Sequence, residues 1–159
     1  MTQKMVIKYI RAGKEHAEKV FELVQDTITT IYPNYYRKEI VDFFCQLHNK
    51  ENIVKDIESG NVHVLLHNNQ AIGTGSYENN YITRVYVHPQ FQKKGHGSFI
   101  MQSLESELAL KYDTVYLDAS LPAVRLYENL GYTTKRHESF TVENGIILVY
   151  EIMQKNFLF

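Results

Sequence analysis

Hydrophobic residues in the first third of the chain predict one short strand followed by three helices. MVIKYI, residues 5–10, predicts the strand. From Lys14 onward the apolar residues recur three or four positions apart, as in an amphipathic helix that Pro33 ends. These residues are Ala17, Val20, Phe21, Val24, Ile28 and Ile31. IVDFFCQL predicts a second helix, and ENIVKDIESG predicts a third that stops at Gly60.

The middle of the chain predicts three strands and a further helix. NVHVLLHNNQAIGTGSY has the pattern of a hairpin whose two strands are joined at Asn68 and Asn69. YITRVYVHP alternates apolar and polar residues until Pro89 ends it. A glycine-containing turn then leads into a helical stripe formed by Met101, Leu104 and Leu108.

The last third predicts a strand, a short helix and a closing hairpin. TVYLDA is the strand, and LPAVRLYENLG is the helix, with Pro122 in its first turn and Gly131 at its end. TTKRHESFTV and GIILVYEIM form the hairpin across residues 143–145. The order βααα-βββ-αβα-ββ predicts an α/β fold around a mixed sheet. Because no repeat or linker interrupts it, we expect one domain over residues 1–159. The apolar tail NFLF could dock on this domain or on a partner.

Composition narrows the range of partners. The 159 residues include 17 basic and 18 acidic side chains, and a net charge of −1 gives no general attraction to nucleic acid or an anionic membrane. The N-terminal residues lack the apolar region of a signal peptide, and no stretch approaches the length of a membrane span. We therefore expect a cytoplasmic protein that binds neither nucleic acid nor membrane. The lone Cys45 excludes an intramolecular disulfide and is expected in the core.

The seven histidines do not predict a metal site. His63 and His67 face the same side of one predicted strand, but four residues at strand rise separate them by ~13 Å. One ion cannot bridge that distance, so we expect no metal.

The turn HPQFQKKGHGSF, residues 88–99, is the strongest candidate for binding chemistry. Gly95 and Gly97 let a ligand approach the backbone, and the free amides and dipole of the following helix attract anions. Lys93 and Lys94 add positive charge. The turn therefore suits a pyrophosphate, although a strand-to-helix connection with solvated lysines has the same composition.

Two spaced motifs carry a family resemblance. The run V-x-V-x-P-x-x-Q-x-x-G-x-G, from Val85 to Gly97, resembles the acetyl-CoA motif of the GNAT N-acetyltransferase superfamily. About thirty residues further on, LDASLPAVRLYENLGY resembles its second signature, A-x-x-L-Y-x-x-x-G-[FY]. The matches in that signature are Ala123, Leu126, Tyr127, Gly131 and Tyr132.

This resemblance implies a fold and a cofactor site. The expected fold is a mixed, mostly antiparallel sheet flanked by helices and splayed where acetyl-CoA binds. The backbone of Val87 is expected to bond the pantetheine arm, and the Val85 amide to point at the thioester carbonyl. Backbone amides of the turn are expected to hold the pyrophosphate; they belong to Gln92, Lys93, Lys94, Gly95, His96, Gly97 and Ser98.

The resemblance also implies an enzyme that transfers acetyl groups from acetyl-CoA to an amine by direct attack. Tyr127 is expected to protonate the leaving thiolate, although its place on an apolar helical stripe also fits a structural role. Ser120 stands where the family often has an asparagine that contacts the cofactor. It is expected either to contact the cofactor or to cap the next helix.

The acceptor site is less defined by the sequence. Tyr81 and Thr83 stand where some family members carry a base, and neither is a convincing base at neutral pH. Glu78 could act through water or be a solvated turn residue. Tyr32, Tyr35 and Tyr36 could line the acceptor site or pack around a helix end. We expect a small-molecule amine; a peptide or protein amine, and a non-catalytic acyl-CoA-binding regulatory domain, are the alternatives. Monomer and homodimer both stay open.

Overall fold

The structure, a computed structural model, describes residues 6–157. Met5 of the first predicted strand and the last two residues of the apolar tail lie outside this range. The seven strands are β1 (Ile7–Arg11), β2 (Val62–His67), β3 (Gln70–Glu78), β4 (Tyr81–Val87), β5 (Thr114–Ala119), β6 (Thr133–Thr141) and β7 (Ile147–Asn156). The helices are α1 (Ala17–Ile31), α2 (Lys38–Leu47), α3 (Lys50–Glu58), α4 (His96–Leu108) and α5 (Val124–Asn129).

Local sequence explains most of the element boundaries. The Asn49 side chain accepts a hydrogen bond from the Asn52 amide at 2.8 Å and so caps the start of α3. Asn68 and Asn69 both have positive φ, 49° and 69°, which is the backbone of a tight two-residue hairpin turn. Gly131, with φ of 95°, follows α5 as predicted. Among residues 6–157, no helix combines the length and apolarity needed to cross a membrane.

The seven strands form one sheet in the order β1-β2-β3-β4-β5-β7-β6. Every neighbouring pair is antiparallel except β4 and β5, which α4 connects. Those two strands are parallel, and they pair only at Tyr81 with Tyr116 and at Ile82 with Leu117. Beyond Ile82 the strands diverge. The expected mixed, mostly antiparallel and splayed sheet is therefore confirmed.

Helices cover both faces of the sheet and enclose two apolar cores. One core lies beneath α1, α2 and α3 and includes Val24 and Ile28. The other lies beneath α4 and α5 and includes Ile100 and Leu104. Phe157, at the described end of the apolar tail, packs against this second core. The helix α4 comes close to the sheet because β3 carries glycine at the contact: a Cβ built on Gly73 lies 2.7 Å from Ile100 Cδ1.

This close approach predicts a coupling between Gly73 and Ile100. We expect Gly73→Ala to lower the free energy of unfolding by about 1–3 kcal/mol, because the new methyl overpacks a buried contact. Ile100→Val removes the Cδ1 atom that the methyl meets, so Gly73→Ala should cost less in that background than alone. Urea unfolding of the two single variants and the double variant measures the coupling. Costs that simply add would contradict the packing described here.

Candidate active site

The gap between β4 and β5 exposes main-chain groups of β4. The His88 amide donates to the Ile72 carbonyl of β3 at 2.8 Å. Because successive residues of a strand direct their amides to opposite sides, the amides of Val85 and Val87 face away from β3 and into the gap. The Val87 carbonyl accepts a hydrogen bond from Gln92 Nε2 at 2.9 Å. The strand therefore presents a hydrogen-bonding edge there.

A cavity of about 1100 Å³ lies over this gap. It runs from the turn before α4, past the start of α5, to a region between α1, α2, β6 and β7. The cavity brings together most of the residues predicted for the site: Tyr32, Tyr35, Thr83, Val85, Val87, Gln92, Lys93, Gly95, His96, Gly97, Ser98, Ser120 and Tyr127. Three others, Lys94, Glu78 and Tyr81, are not among the side chains that line it.

The turn before α4 is built to present backbone amides. Lys93 and Gly95 have positive φ, 63° and 86°, on either side of Lys94. A backbone that alternates in this way directs successive N–H groups into one concavity. The first hydrogen bond of α4 runs from the Phe99 amide to the Gly95 carbonyl at 3.0 Å, so the amides of residues 96–98 have no partner within the helix. No side chain caps them, because the capping position is Gly95.

Side chains of the turn play a smaller part. The Lys94 ammonium lies 5.6 Å from the centre of the Phe91 ring, and Phe91 lines the cavity whereas Lys94 does not. A Cβ built on Gly97 lies 3.3 Å from Leu126 Cδ2, so glycine also lets the turn pack against α5.

Tyr127 belongs both to the core and to the cavity wall. It is buried, with 6% of its surface exposed, and its ring meets Tyr132 edge to face at 5.9 Å. Burial, and secondarily the neighbouring Tyr32, raises the pKa of the Tyr127 hydroxyl. The hydroxyl therefore keeps its proton through the neutral pH range, which is the state a proton donor needs.

Tyr32 bridges the two sides of the gap. Its hydroxyl donates to the Tyr86 hydroxyl on β4 at 3.2 Å and lies 3.1 Å from Ser120 Oγ, just after β5. The Ser120 side chain makes no capping hydrogen bond to the following helix, so the structure does not support that alternative. The Tyr36 hydroxyl accepts a hydrogen bond from the Leu121 amide at 2.7 Å and connects the same segment to the turn between α1 and α2. Tyr32 thus lines the cavity and packs around the helix end.

The residues weighed as bases have other contacts. Glu78 is exposed at the end of β3. The Tyr81 hydroxyl donates to Asp118 Oδ1, and Thr83 Oγ1 lies 3.0 Å from Ser76 Oγ. Asp118 itself lines the cavity, and sequence reasoning missed it. Its one sequence signal was its place beside Ala119 and Ser120, just ahead of the second motif.

A buried polar cluster also went unpredicted. Arg84 is buried, and its Nε donates to His48 Nδ1 at 3.1 Å while Nη2 donates to Asp56 Oδ2 at 2.9 Å. Burial, and then the Arg84 charge, lowers the pKa of His48 to about 3. His48 Nδ1 accepts a hydrogen bond, so the proton of the neutral ring is assigned to Nε2. His48 is therefore a neutral donor at the cavity wall rather than a base.

The lowered pKa of His48 predicts a pH-dependent stability. The unfolded chain binds a proton at His48 below about pH 6.5, whereas the native state stays neutral to about pH 3. The contribution of neutral His48 to the free energy of unfolding is therefore complete above pH 6.5 and decreases as the pH falls below that value. His48→Gln keeps an acceptor for Arg84 but does not titrate. Between pH 7 and pH 5 we expect its unfolding free energy to fall by about 2 kcal/mol less than that of the wild type.

Urea unfolding at the two pH values measures this difference. His137→Gln, on the exposed strand β6, is the control, because it removes a histidine without touching Arg84. Parallel losses in the wild type and His48→Gln would contradict a neutral, buried His48.

Comparison with known proteins identifies the family. Residues 31–156 match the acetyltransferase (GNAT) domain family. A GCN5-related N-acetyltransferase from Rhodopseudomonas palustris has the same fold, with a TM-score of 0.85 and 20% identity over 98% of this chain and 99% of that one. YncA from Salmonella typhimurium, solved with its cofactor acetyl-CoA, has a TM-score of 0.73 and 20% identity over 97% and 94% of the two chains.

A human protein, cysteine-rich protein 2-binding protein, is 31% identical over 61 residues. That match covers 38% of this chain but only 8% of the human protein. Among residues 6–157, no group of three or more histidine, cysteine or acidic side chains is placed to hold a metal ion. The family match spans most of the chain and agrees with the splayed sheet and the amide-rich turn. The chain therefore belongs to the GNAT acetyltransferase family.

Proposed function

We propose that this chain, as a single domain, transfers the acetyl group of acetyl-CoA to an amine by direct attack on the thioester. The observation that carries the proposal is the edge of β4, where the Val85 and Val87 amides face a gap that ends at an uncapped helix N-terminus. Membership of the GNAT family supports it. Acetyl-CoA supplies an acetyl group activated as a thioester.

The turn and the strand edge have separate parts in binding. The amides of residues 92–98 receive the pyrophosphate, since the φ values of Lys93 and Gly95 gather them into one concavity. Lys93, in the cavity lining, adds charge. The main chain of Val87 bonds the pantetheine arm as an added strand. Ser120 Oγ, already held near Tyr32, offers a further polar contact beside the gap.

The reaction needs a hydrogen-bond donor at the thioester oxygen and a proton donor at the leaving sulfur. The Val85 amide faces the gap and stabilises the negative charge that develops on the thioester oxygen. As the amine nitrogen bonds to the carbonyl carbon, the carbon–sulfur bond breaks, and Tyr127 gives its hydroxyl proton to the sulfur. The nitrogen releases its own proton to water, and Tyr127 regains a proton from water. The products are an amide and a free thiol.

The shape of the acceptor end favours a small-molecule amine. Phe43 on α2 contacts Phe140 on β6, with ring centres 5.2 Å apart, and both line the cavity. This contact joins the two sides of the acceptor end, whereas an extended peptide needs an open groove. A peptide or protein amine remains the alternative acceptor.

Thiol release in the presence of amines tests the proposal. The protein is mixed with acetyl-CoA and a panel of small amines, and free thiol is followed alongside calorimetric binding of acetyl-CoA. We expect binding, and thiol release that requires an amine. Binding with no amine-dependent release, for small amines or for peptides with a free N-terminus, would favour the regulatory acyl-CoA-binding alternative. An absence of binding would overturn both.

The role given to Tyr127 predicts a specific defect. Tyr127→Phe should lower kcat by about 10²–10⁴-fold, the usual contribution of a general acid, and leave acetyl-CoA affinity unchanged. Tyr112→Phe is the matched control, because Tyr112 packs in the same core but does not line the cavity. Steady-state kinetics and calorimetry measure the two quantities. Unaltered turnover in Tyr127→Phe would remove the acid role.

A further inference from the structure

The ionisable side chains of the cavity are distributed unevenly along its length. At the cofactor end, Lys93, His96 and Arg125 are basic groups. Arg84 also lines the cavity, on β4, and its charge is paired with Asp56 at 2.9 Å. Among the described lining residues, the only carboxylate is Asp118, at the other end. Asp118 directly follows Leu117, the last residue of β5 that pairs with β4. It therefore stands where the two strands begin to separate.

The fold holds Asp118 toward the acceptor side. Leu117 and Ala119, its neighbours on β5, are each 1% exposed in the core beneath α4. Because strand residues alternate between faces, Asp118 lies on the opposite face, where it is exposed. This is the face from which α1, α2 and α3 pack on the other half of the sheet.

Within the described part of the chain, the Asp118 carboxylate has one free acceptor oxygen and no paired cation. Tyr81 donates to Oδ1, while Oδ2 accepts no hydrogen bond from residues 6–157. The cations nearby have other partners: Arg136 Nε donates to Glu138 at 2.6 Å, and the Lys135 ammonium lies 5.1 Å from the centre of the Tyr116 ring. An unpaired carboxylate in a cavity is a site for a cation.

Aromatic groups complete the surroundings. Tyr81 stacks on Tyr116, with ring centres 6.2 Å apart. Tyr150, on β7, lines the cavity, and the pKa of its hydroxyl is raised by burial and by the charges of Asp118 and Glu138. Phe140 lines the cavity on β6. Aromatic faces attract cations and pack against apolar groups, so this end suits an ammonium attached to an apolar body.

We propose that Asp118 binds the acceptor as an ammonium ion, so that the enzyme selects alkyl amines, which are cationic at neutral pH, over aryl amines, which are neutral. The bound ammonium gives one proton to water before its nitrogen attacks the thioester, and the nitrogen gives a second proton to water after the bond to carbon forms. This inference rests on the proposed function for its kinetic part only. A carboxylate that binds the ammonium contributes to ground-state affinity, so its loss should appear in KM rather than in kcat.

Two isomeric amines test the inference. Phenethylamine is an alkyl amine and 4-ethylaniline an aryl amine of the same formula, so they differ in charge at neutral pH but hardly in size. Calorimetry with coenzyme A present measures binding without turnover. We expect Asp118→Asn to weaken phenethylamine binding by roughly tenfold or more and to change 4-ethylaniline binding by less than about twofold. With acetyl-CoA, the KM for phenethylamine should rise by a similar factor.

Asp113→Asn is the matched control, since Asp113 is an exposed aspartate just before β5 that does not line the cavity. Thermal unfolding confirms that each variant folds. Equal losses for the two amines, no loss in Asp118→Asn, or no binding of phenethylamine to the wild type would each overturn the inference. Thiol release with both amines at equal efficiency would overturn it and leave the proposed function intact. Selective binding of phenethylamine, with no thiol release for any small amine or peptide, would overturn the proposed function and leave the binding part of the inference intact.

Discussion

The separation of β4 from β5 is the constraint on which the rest of the structure depends. A parallel pairing that ends after Ile82 leaves the main-chain groups of Val85 and Val87 without a strand partner. A buried amide without a partner costs about 1–3 kcal/mol, so these groups require another ligand or water. Gln92 already bonds the Val87 carbonyl, and Tyr32 joins Tyr86 to Ser120 across the gap. Side-chain hydrogen bonds therefore connect the two edges of the gap, and main-chain groups inside it stay available for a ligand.

The two layers of helices serve the gap in different ways. Glycine at Gly73 allows α4 to lie close to the sheet, which brings the positive end of its dipole to the end of β4. On the other face, Arg84 is buried beside His48 and Asp56, and the Asp56 carboxylate balances its charge. Arg84 is the buried partner and Asp56 is partly exposed. Leaving a buried charge without its partner is costly, so such a cluster holds its neighbours in one arrangement. His48 and Arg84 of this cluster line the cavity, whereas Asp56 does not.

The sequence predicted the features of the fold that depend on local residue patterns. The order of the elements followed from periodicity and from turn residues such as Asn68 and Gly131, and the sheet's splay followed from a motif. Asp118 and His48 were missed because their roles depend on contacts between distant segments. The contact between Tyr81 and Asp118 was also hidden by a register shift between β3 and β4. Because the shift falls near Thr83, simple alternation along β4 does not predict which way the Tyr81 side chain faces. No local signal decided between the two alternatives for Ser120.

The cofactor contacts proposed here come mostly from the main chain, whereas the acceptor contacts come from side chains. The fold therefore predicts the cofactor better than it predicts the acceptor. The groups assigned to coenzyme A are mostly amides, and any sequence that keeps the turn and the gap presents them. At 20% identity the Rhodopseudomonas palustris protein retains this backbone with a TM-score of 0.85. The acceptor end consists instead of side chains, among them Phe43, Phe140 and Asp118, which most substitutions can change without disturbing the sheet. The acceptor must therefore be inferred from those side chains, and one unpaired carboxylate among aromatic rings points to a cation.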